Sequence, residues 1–242
     1  DDCVIENGIL RLSPGAGGEV AAPEGVTALG ENVFRDRGSI TAVTLPSTLT
    51  AVAKGAFWGC VRLAKVELPA RTDSLGPWAF FGCAGLREIS FPRSLRGIGD
   101  GAFQGCKALR ELTLPEGLRE LGRSAFDGCA SLRRVVFPSA SPYVSPGAFR
   151  VCVSLREVVM PAVKEIRERA FWGCAALESL DLPGTLREIG ADAFYYCTGL
   201  SSLRFPESLI RIGPCAFYGC GSLSELSFPS LAPEIGRAAF SK

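Results

Sequence analysis

Histidine is absent from the 242 residues, so neither a Ser-His-Asp nor a Cys-His arrangement can be assembled, and the commonest metal ligand is missing. Cys-x-x-Cys pairs are absent as well, which removes the usual zinc and dithiol spacings. Charge of one sign is not in surplus: 26 Lys plus Arg against 25 Asp plus Glu leave a formal net charge of +1. Such a chain has no net basic field to gather nucleic acid, and no nucleic-acid partner is expected. Apolar runs stay far short of the roughly 20 residues that a spanning helix needs, so no direct membrane insertion is expected. The opening Asp-Asp-Cys-Val shows neither the basic start nor the apolar stretch of a secretion signal, a picture that a removed signal would also leave. No catalytic residue, metal or cofactor is assigned, and no enzymatic activity is expected.

Repetition is what the chain has in abundance. Ala-Phe-x-Gly-Cys stands in full at 56–60, 79–83, 102–106, 125–129, 170–174 and 216–220, while 148–152 and 193–197 put Val151 and Tyr196 in place of the glycine. The phenylalanines from Phe34 to Phe240 recur every 23 residues, with one 22-residue step between Phe149 and Phe171. A second column, from Pro23 and Pro46 to Pro229, keeps the same step. A fixed period of this size predicts stacked coils, about ten repeats of 23 residues in one array. Residues 1–22 form an N-terminal cap coil and 23–242 the repeats of a single, monomeric domain.

Within one repeat, Leu132, Val135 and Phe137 follow the spacing of a short strand with one buried face, and Pro138, lacking an amide hydrogen, stops it. Leu118 and Leu121 mark a second inward-facing stretch, followed by Gly122. Ser124 to Cys129 is expected to form one short helical turn, with Phe126 filling the interior and Gly128 ending it. Each coil's apolar face is covered only by its neighbours, so stability is a nearest-neighbour property. Eight of the ten cysteines share one repeat position, from Cys60 to Cys220. Equivalent atoms of stacked strands lie about 4.8 Å apart with side chains parallel, which leaves the Cβ atoms too far apart to bridge. A ladder of free, buried, unreactive thiols is expected; Cys215 lies off it, near an expected helix start, and Cys3 fills the cap.

The coil Phe91, Pro92, Leu95, Ile98, Gly99, Ala102, Phe103, Gly105, Cys106, Leu109, Leu112, Leu114, Pro115 resembles the BspA-type leucine-rich repeats, a bacterial surface-antigen family. The resemblance covers nearly the whole chain in ten imperfect copies. It implies a leucine-rich repeat solenoid, a β-rich, right-handed coil of short parallel β-strands and short helical turns. It also implies an extracellular or cell-surface location and an adhesive role. The opening Cys3 to Leu12 with the glycine-rich stretch after Ser13 looks like the family's first coil, and its alternation at Val4 to Leu12 with that glycine-rich turn implies a hairpin-like cap.

Two surfaces are candidates for binding a protein or a glycan. Outward strand positions place Lys65, Glu67, Glu88, Glu111, Arg134, Glu157, Asp181, Arg204 and Glu225 on an open sheet face, with Arg87, Arg110, Arg133 and Arg156 beside it to neutralise Glu88, Glu111 and Glu157. The residue after the repeat phenylalanine is aromatic at Trp58, Phe81, Trp172, Tyr195 and Tyr218, with Trp78 and Tyr196 nearby, which gives an aromatic edge or a stack that shields the coils. The stretch Ser139 to Arg167 departs from the repeat, as drift in one coil or as an irregularity that bends the array or exposes Tyr143. Gly97 to Ala102 matches G-x-G-x-x-A by chance, as no βαβ unit surrounds it. The leading expectation is a noncatalytic binding module; the alternative is a passive spacer within a larger surface protein.

Overall fold

The structure, a computed structural model, describes residues 3–12 and 17–242. It is a solenoid in which two columns of short parallel strands run the length of the stack. The two-residue column comprises Ala28–Leu29, Ala51–Val52, Ser74–Leu75, Gly97–Ile98 and Glu120–Leu121, then Tyr143–Val144, Glu165–Ile166, Glu188–Ile189, Arg211–Ile212 and Glu234–Ile235. The longer column falls into three sheets: Gly18–Ala21, Ile40–Thr44, Lys65–Glu67 and Glu88–Ser90; Glu111–Thr113, Arg134–Val136 and Glu157–Val159; and Ser202–Arg204 with Glu225–Ser227.

The cap is a hairpin, but its turn differs from the expected one. Val4–Glu6 pairs antiparallel with Ile9–Leu12, and the reversal is made by Asn7 and Gly8, at φ 50° and 77°. Two successive positive φ values match the strand twist of a tight hairpin, and Asn-Gly is the pair best suited to them. Ile9 and Leu10 then join the two-residue column in parallel against Ala28 and Leu29. Of the glycine-rich stretch, residues 13–16 lie outside the described residues.

The Ala-Phe-x-Gly-Cys segment is not a helical turn; the described residues contain no helix. Gly55 and Gly59 have φ of 63° and 71°, so a helical run is broken twice within five residues. The amides alternate instead. Ala56, Trp58 and Cys60 donate to Ala53, Gly55 and Phe57 within the coil, whereas Gly55, Phe57 and Gly59 donate to Pro77, Ala79 and Phe81 of the next. Turns therefore stack through a backbone ladder of their own, and the coil is bonded to its neighbours on three sides.

Inside, the repeat-column phenylalanines from Phe34 to Phe217 are all buried and stack ring on ring. The eight column cysteines are buried and free, and each thiol donates to the phenylalanine carbonyl of the preceding coil, as Cys60 does to Phe34 at 3.1 Å and Cys106 to Phe80 at 3.3 Å. Cysteine is thus small enough for the column and also supplies a donor that alanine lacks. The first coil has Arg37 at this position, with its guanidinium 5.8 Å from the Phe34 ring centroid.

One column brings adjacent coils into close backbone contact. A Cβ on Gly76, Gly99, Gly122, Gly190, Gly213 or Gly236 would lie 2.3–2.7 Å from a backbone nitrogen of the preceding coil. These glycines donate to that coil at 2.7–2.8 Å. Where a side chain occupies the column the contact loosens: Ala53 and Arg167 donate at 3.0 Å. At Ser145 the hydroxyl, rather than the amide, is bonded to Leu121 O, and the two-residue sheet is interrupted there, between Leu121 and Tyr143. Phenylalanine centroids are 5.0–5.1 Å apart from Phe34 to Phe126, then 5.5 Å to Phe149, 5.6 Å to Phe171 and 5.4 Å to Phe194, and 5.1 and 5.3 Å over the last two steps. The irregular coil is a widened one. Tyr143 in it is half-buried, with the Arg167 guanidinium 3.7 Å from its ring centroid.

Candidate ligand-binding edge

The residue after each buried phenylalanine emerges along the turn edge. At the N-terminal end Trp58 packs on Phe81 at 4.2 Å and meets Trp78 edge-on at 6.2 Å. Arg35 lies 4.6 Å over Trp58 and Lys54 5.3 Å over Trp78, so both indoles carry a cation on one face. At the other end Tyr195 and Tyr218 stack at 5.0 Å and 11°, and Tyr196 stands edge-on to both. Burial, with the Tyr196 and Tyr218 phenols close by, raises the Tyr195 pKa and keeps its hydroxyl protonated.

Trp172 departs from this regular stacking. Its ring is 5.9 Å from Tyr195 and inclined at 56°, so the two form a wedge rather than a stack. A depression of 370 Å³ opens there, lined by Arg150, Arg169, Trp172, Asp192 and Tyr195. Arg150 is fixed from within the coil stack: its Nε and Nη2 donate to Asp127 Oδ2 at 3.2 and 2.9 Å, and Gln104 Nε2 donates to the same oxygen at 3.1 Å. Asp127 is 4% exposed, and Arg150 lies 5.3 Å over Trp172. Arg169 donates from Nε to Asp192 at 3.2 Å and pairs with Glu168 at 3.2 Å.

The sequence reading placed Trp172 and Tyr195 on this edge but missed the ion pairs beside them. The signal was present. Asp127 and Arg150 are one period apart, as are Arg169 and Asp192, and opposite charges at that separation are neighbours in adjacent coils.

On the sheet face, Lys65, Glu67, Glu88, Glu111, Glu157, Arg204 and Glu225 are exposed strand residues and Arg134 is half-buried, whereas exposed Asp181 lies outside any strand. Register opposes Lys65 to Glu88 and Arg134 to both Glu111 and Glu157. Charge pairing differs from the expected pattern: Glu157 pairs with Arg134 at 2.8 Å, and Arg156 pairs with Glu178 of the next coil. Lys65 hydrogen-bonds Glu67 at 2.7 Å, which raises the lysine pKa and lowers the glutamate's. Both are exposed, where such a pair adds little to stability. Between Glu88–Ser90 and Glu111–Thr113, where the sheet is interrupted, an open depression of 510 Å³ is lined by Arg87, Glu88, Ile89, Ser90, Arg110 and Glu111.

The column thiols are chemically quiet. Burial pushes Cys60 and Cys174 up to about 12 and Cys220 up to about 11, so they stay protonated. Cys215 is half-buried, at a turn position with φ 53° rather than at a helix start. In the chance G-x-G-x-x-A match, Gly99 permits the close approach to Gly76 and Pro77, and Gly101 adopts φ 59°. Among the described residues no group of three or more His, Cys, Asp or Glu could hold a metal ion, and no helix is long and apolar enough to cross a membrane.

The family described as BspA type leucine rich repeat region (6 copies) matches residues 18–133 and 119–242. Among solved structures, a T. pallidum leucine rich repeat protein is similar at 27% identity and a TM-score of 0.64, over 89% of this chain and 82% of that one. The pneumococcal vaccine antigen PcpA is similar at 21% identity and a TM-score of 0.61, over 93% of this chain and 66% of that one. A leucine rich cell surface protein from Faecalibacterium prausnitzii is similar at 24% identity and a TM-score of 0.51, over 86% of this chain and 59% of that one. No curated protein matches.

Proposed function

The chain belongs to the BspA-type leucine-rich repeat family, and from that premise we propose that it is a noncatalytic binding module of a secreted or surface-displayed bacterial protein, engaging its ligand on the turn edge at Trp172 and Tyr195. Support for the location comes from the family's surface antigens and from the similar protein titled a cell surface protein. The observation that carries the binding site is the wedge: two inclined aromatic rings flanked by guanidinium groups that carboxylates already hold in place. Preorganised side chains lose little entropy when a ligand arrives. The sheet-face depression between Glu88 and Glu111 is the second reading, favoured by two arginines and two glutamates that make no ion pair among the described residues.

A panel of purified extracellular proteins and an arrayed glycan library, probed with the wild type, Trp172→Ala and Glu88→Lys/Glu111→Lys, separates these readings. Loss confined to Trp172→Ala supports the edge. Loss confined to the double charge reversal moves the site to the sheet, and no binding above background leaves a passive spacer.

A further inference from the structure

Resting on the edge reading, we propose that the Trp172–Tyr195 wedge takes an uncharged sugar ring, a hexose unit of a neutral glycan. Three features of the depression select that chemistry. The first is aromatic surface open on one side. Tyr195 and Tyr218 lie nearly parallel at 5.0 Å and cover one another, but the 56° inclination between Trp172 and Tyr195 leaves the facing surfaces apart. The apolar C–H face of a pyranose is flat and suits such a surface, as amphipathic rings pack well at partly wet positions.

The second feature is charge balance. Arg150 is neutralised by buried Asp127, and Arg169 by Asp192 and Glu168. A phosphate, sulfate or uronate would meet guanidinium groups whose charge is already matched, and it would face the Asp192 carboxylate in the same depression. A ligand with no net charge meets no such opposition. The pairing also argues against a nucleic acid strand, whose affinity comes from releasing counterions at unmatched cations.

The third feature is the fork of fixed donors and acceptors. Two of the five Arg150 N–H groups are used on Asp127. Asp192 accepts from Arg169 through Oδ2 and has Oδ1 left as an acceptor. Neighbouring hydroxyls on a sugar each donate and accept, which a carboxylate and a guanidinium side by side satisfy together. A pyranose engages the aromatic floor through its C–H face and the polar rim through its ring hydroxyls at the same time.

The test uses the intact chain and three pairs of oligosaccharide probes: gluco-, galacto- and manno-configured hexasaccharides, each against its uronate counterpart. Saturation-transfer NMR and tryptophan fluorescence read binding at low and high salt. At least one neutral probe is expected to bind, with a Kd that changes less than about twofold between ~50 mM and ~500 mM salt, because no net charge is engaged. Trp172→Ala is expected to weaken it about tenfold or more, as loss of a stacking ring does at a binding centre. Asp192→Asn is the fold-neutral check, since asparagine tolerates the φ of 55° found there; it is expected to weaken binding about fivefold with thermal unfolding unchanged. Trp58→Ala is expected to leave binding intact.

Tighter binding of a uronate probe, or an affinity that falls steeply with salt, overturns the neutral-sugar assignment. So does silence of all six probes. If the probes are silent but an extracellular protein binds and Trp172→Ala abolishes it, the sugar assignment fails and the edge reading stands. If binding of any ligand survives Trp172→Ala and disappears in Glu88→Lys/Glu111→Lys, the edge reading fails with it.

Discussion

Replacing Gly122 by alanine adds one methyl group and tests whether the close backbone contact at the glycine column requires glycine. An ideal Cβ there would lie 2.3 Å from Asp100 N, 2.4 Å from Gly99 C and 2.6 Å from Gly99 O, all backbone atoms that cannot rotate away. The coils must separate. Ala53 shows how far: its amide donates at 3.0 Å, against 2.7 Å at Gly122. A gap opening by a few tenths of an ångström weakens that hydrogen bond and forfeits part of the dispersion energy around it, so the substitution should cost about 1–2 kcal/mol. Gly97→Ala makes the same chemical change on the strand two residues earlier in its coil than Gly99, with nothing within 4 Å of the new methyl. It should be neutral or stabilise by about 0.5 kcal/mol, through the reduced freedom of the unfolded chain. Urea unfolding followed by circular dichroism, with hydrogen exchange at the amides of 98–104 and 121–127, measures the difference and locates it. Equal midpoints for the two variants would refute the steric account.

Val151 holds φ at 57° in a column otherwise served mostly by glycine, so Val151→Gly should stabilise by about 1 kcal/mol, read as a raised unfolding midpoint. The column thiols have folded pKa values above the reference of 9.0, so the unfolded chain releases protons first as pH rises. Stability should be fully present below about pH 9 and fall through pH 9–12, by about 1.4 kcal/mol per thiol per pH unit, in denaturant titrations at stepped pH. A thiol reagent at pH 8 should modify Cys3 and Cys215 in the native protein and the eight column cysteines only on unfolding; fast modification of more than two would contradict the buried column.

The stack was legible because its signal is periodic. Phe57, Phe80 and Phe103 differ by 23, Cys60 and Cys83 by 23, and side chains at that separation in a solenoid are neighbours. The two strand columns were legible for the same reason, through Leu118 and Leu121 on one side and Leu132, Val135 and Phe137 on the other. The turn was not. Ala, Phe and Cys beside a glycine suit a helical turn as well as an alternating ladder, and the decision belongs to the neighbouring coil, whose carbonyls capture every second amide. Asn7-Gly8 was the strongest local signal in the cap, yet the denser glycines after Ser13 drew the turn away from it. Of the site, the aromatic residues stood out by type, while the Asp127–Arg150 pair is visible only when residues 23 apart are compared for charge.

The departures from the repeat and the wedge occupy the same coils, and stacking gives a reason. Ser145 and Arg167 stand where neighbouring coils have glycine, the step from Phe149 to Phe171 is one residue short, and Val151 takes a glycine's place in the turn. Each coil is tied to the next through two strand columns and the turn ladder, and in these coils the looser column contact at Arg167 goes with wider spacing of the interior. The buried rings record it, at 5.5 and 5.6 Å where the first four steps are 5.0–5.1 Å. On the turn edge these coils carry Arg150 and Trp172, and it is there that regular stacking gives way to a 56° inclination. Asp127 then has a structural and a binding consequence at once. Buried in the last coil before the widening, it draws Arg150 across the coil boundary and holds that guanidinium over Trp172. A regular array would present an unbroken ladder of ring edges; the irregular coil turns one ring and furnishes the charged pair that frames it.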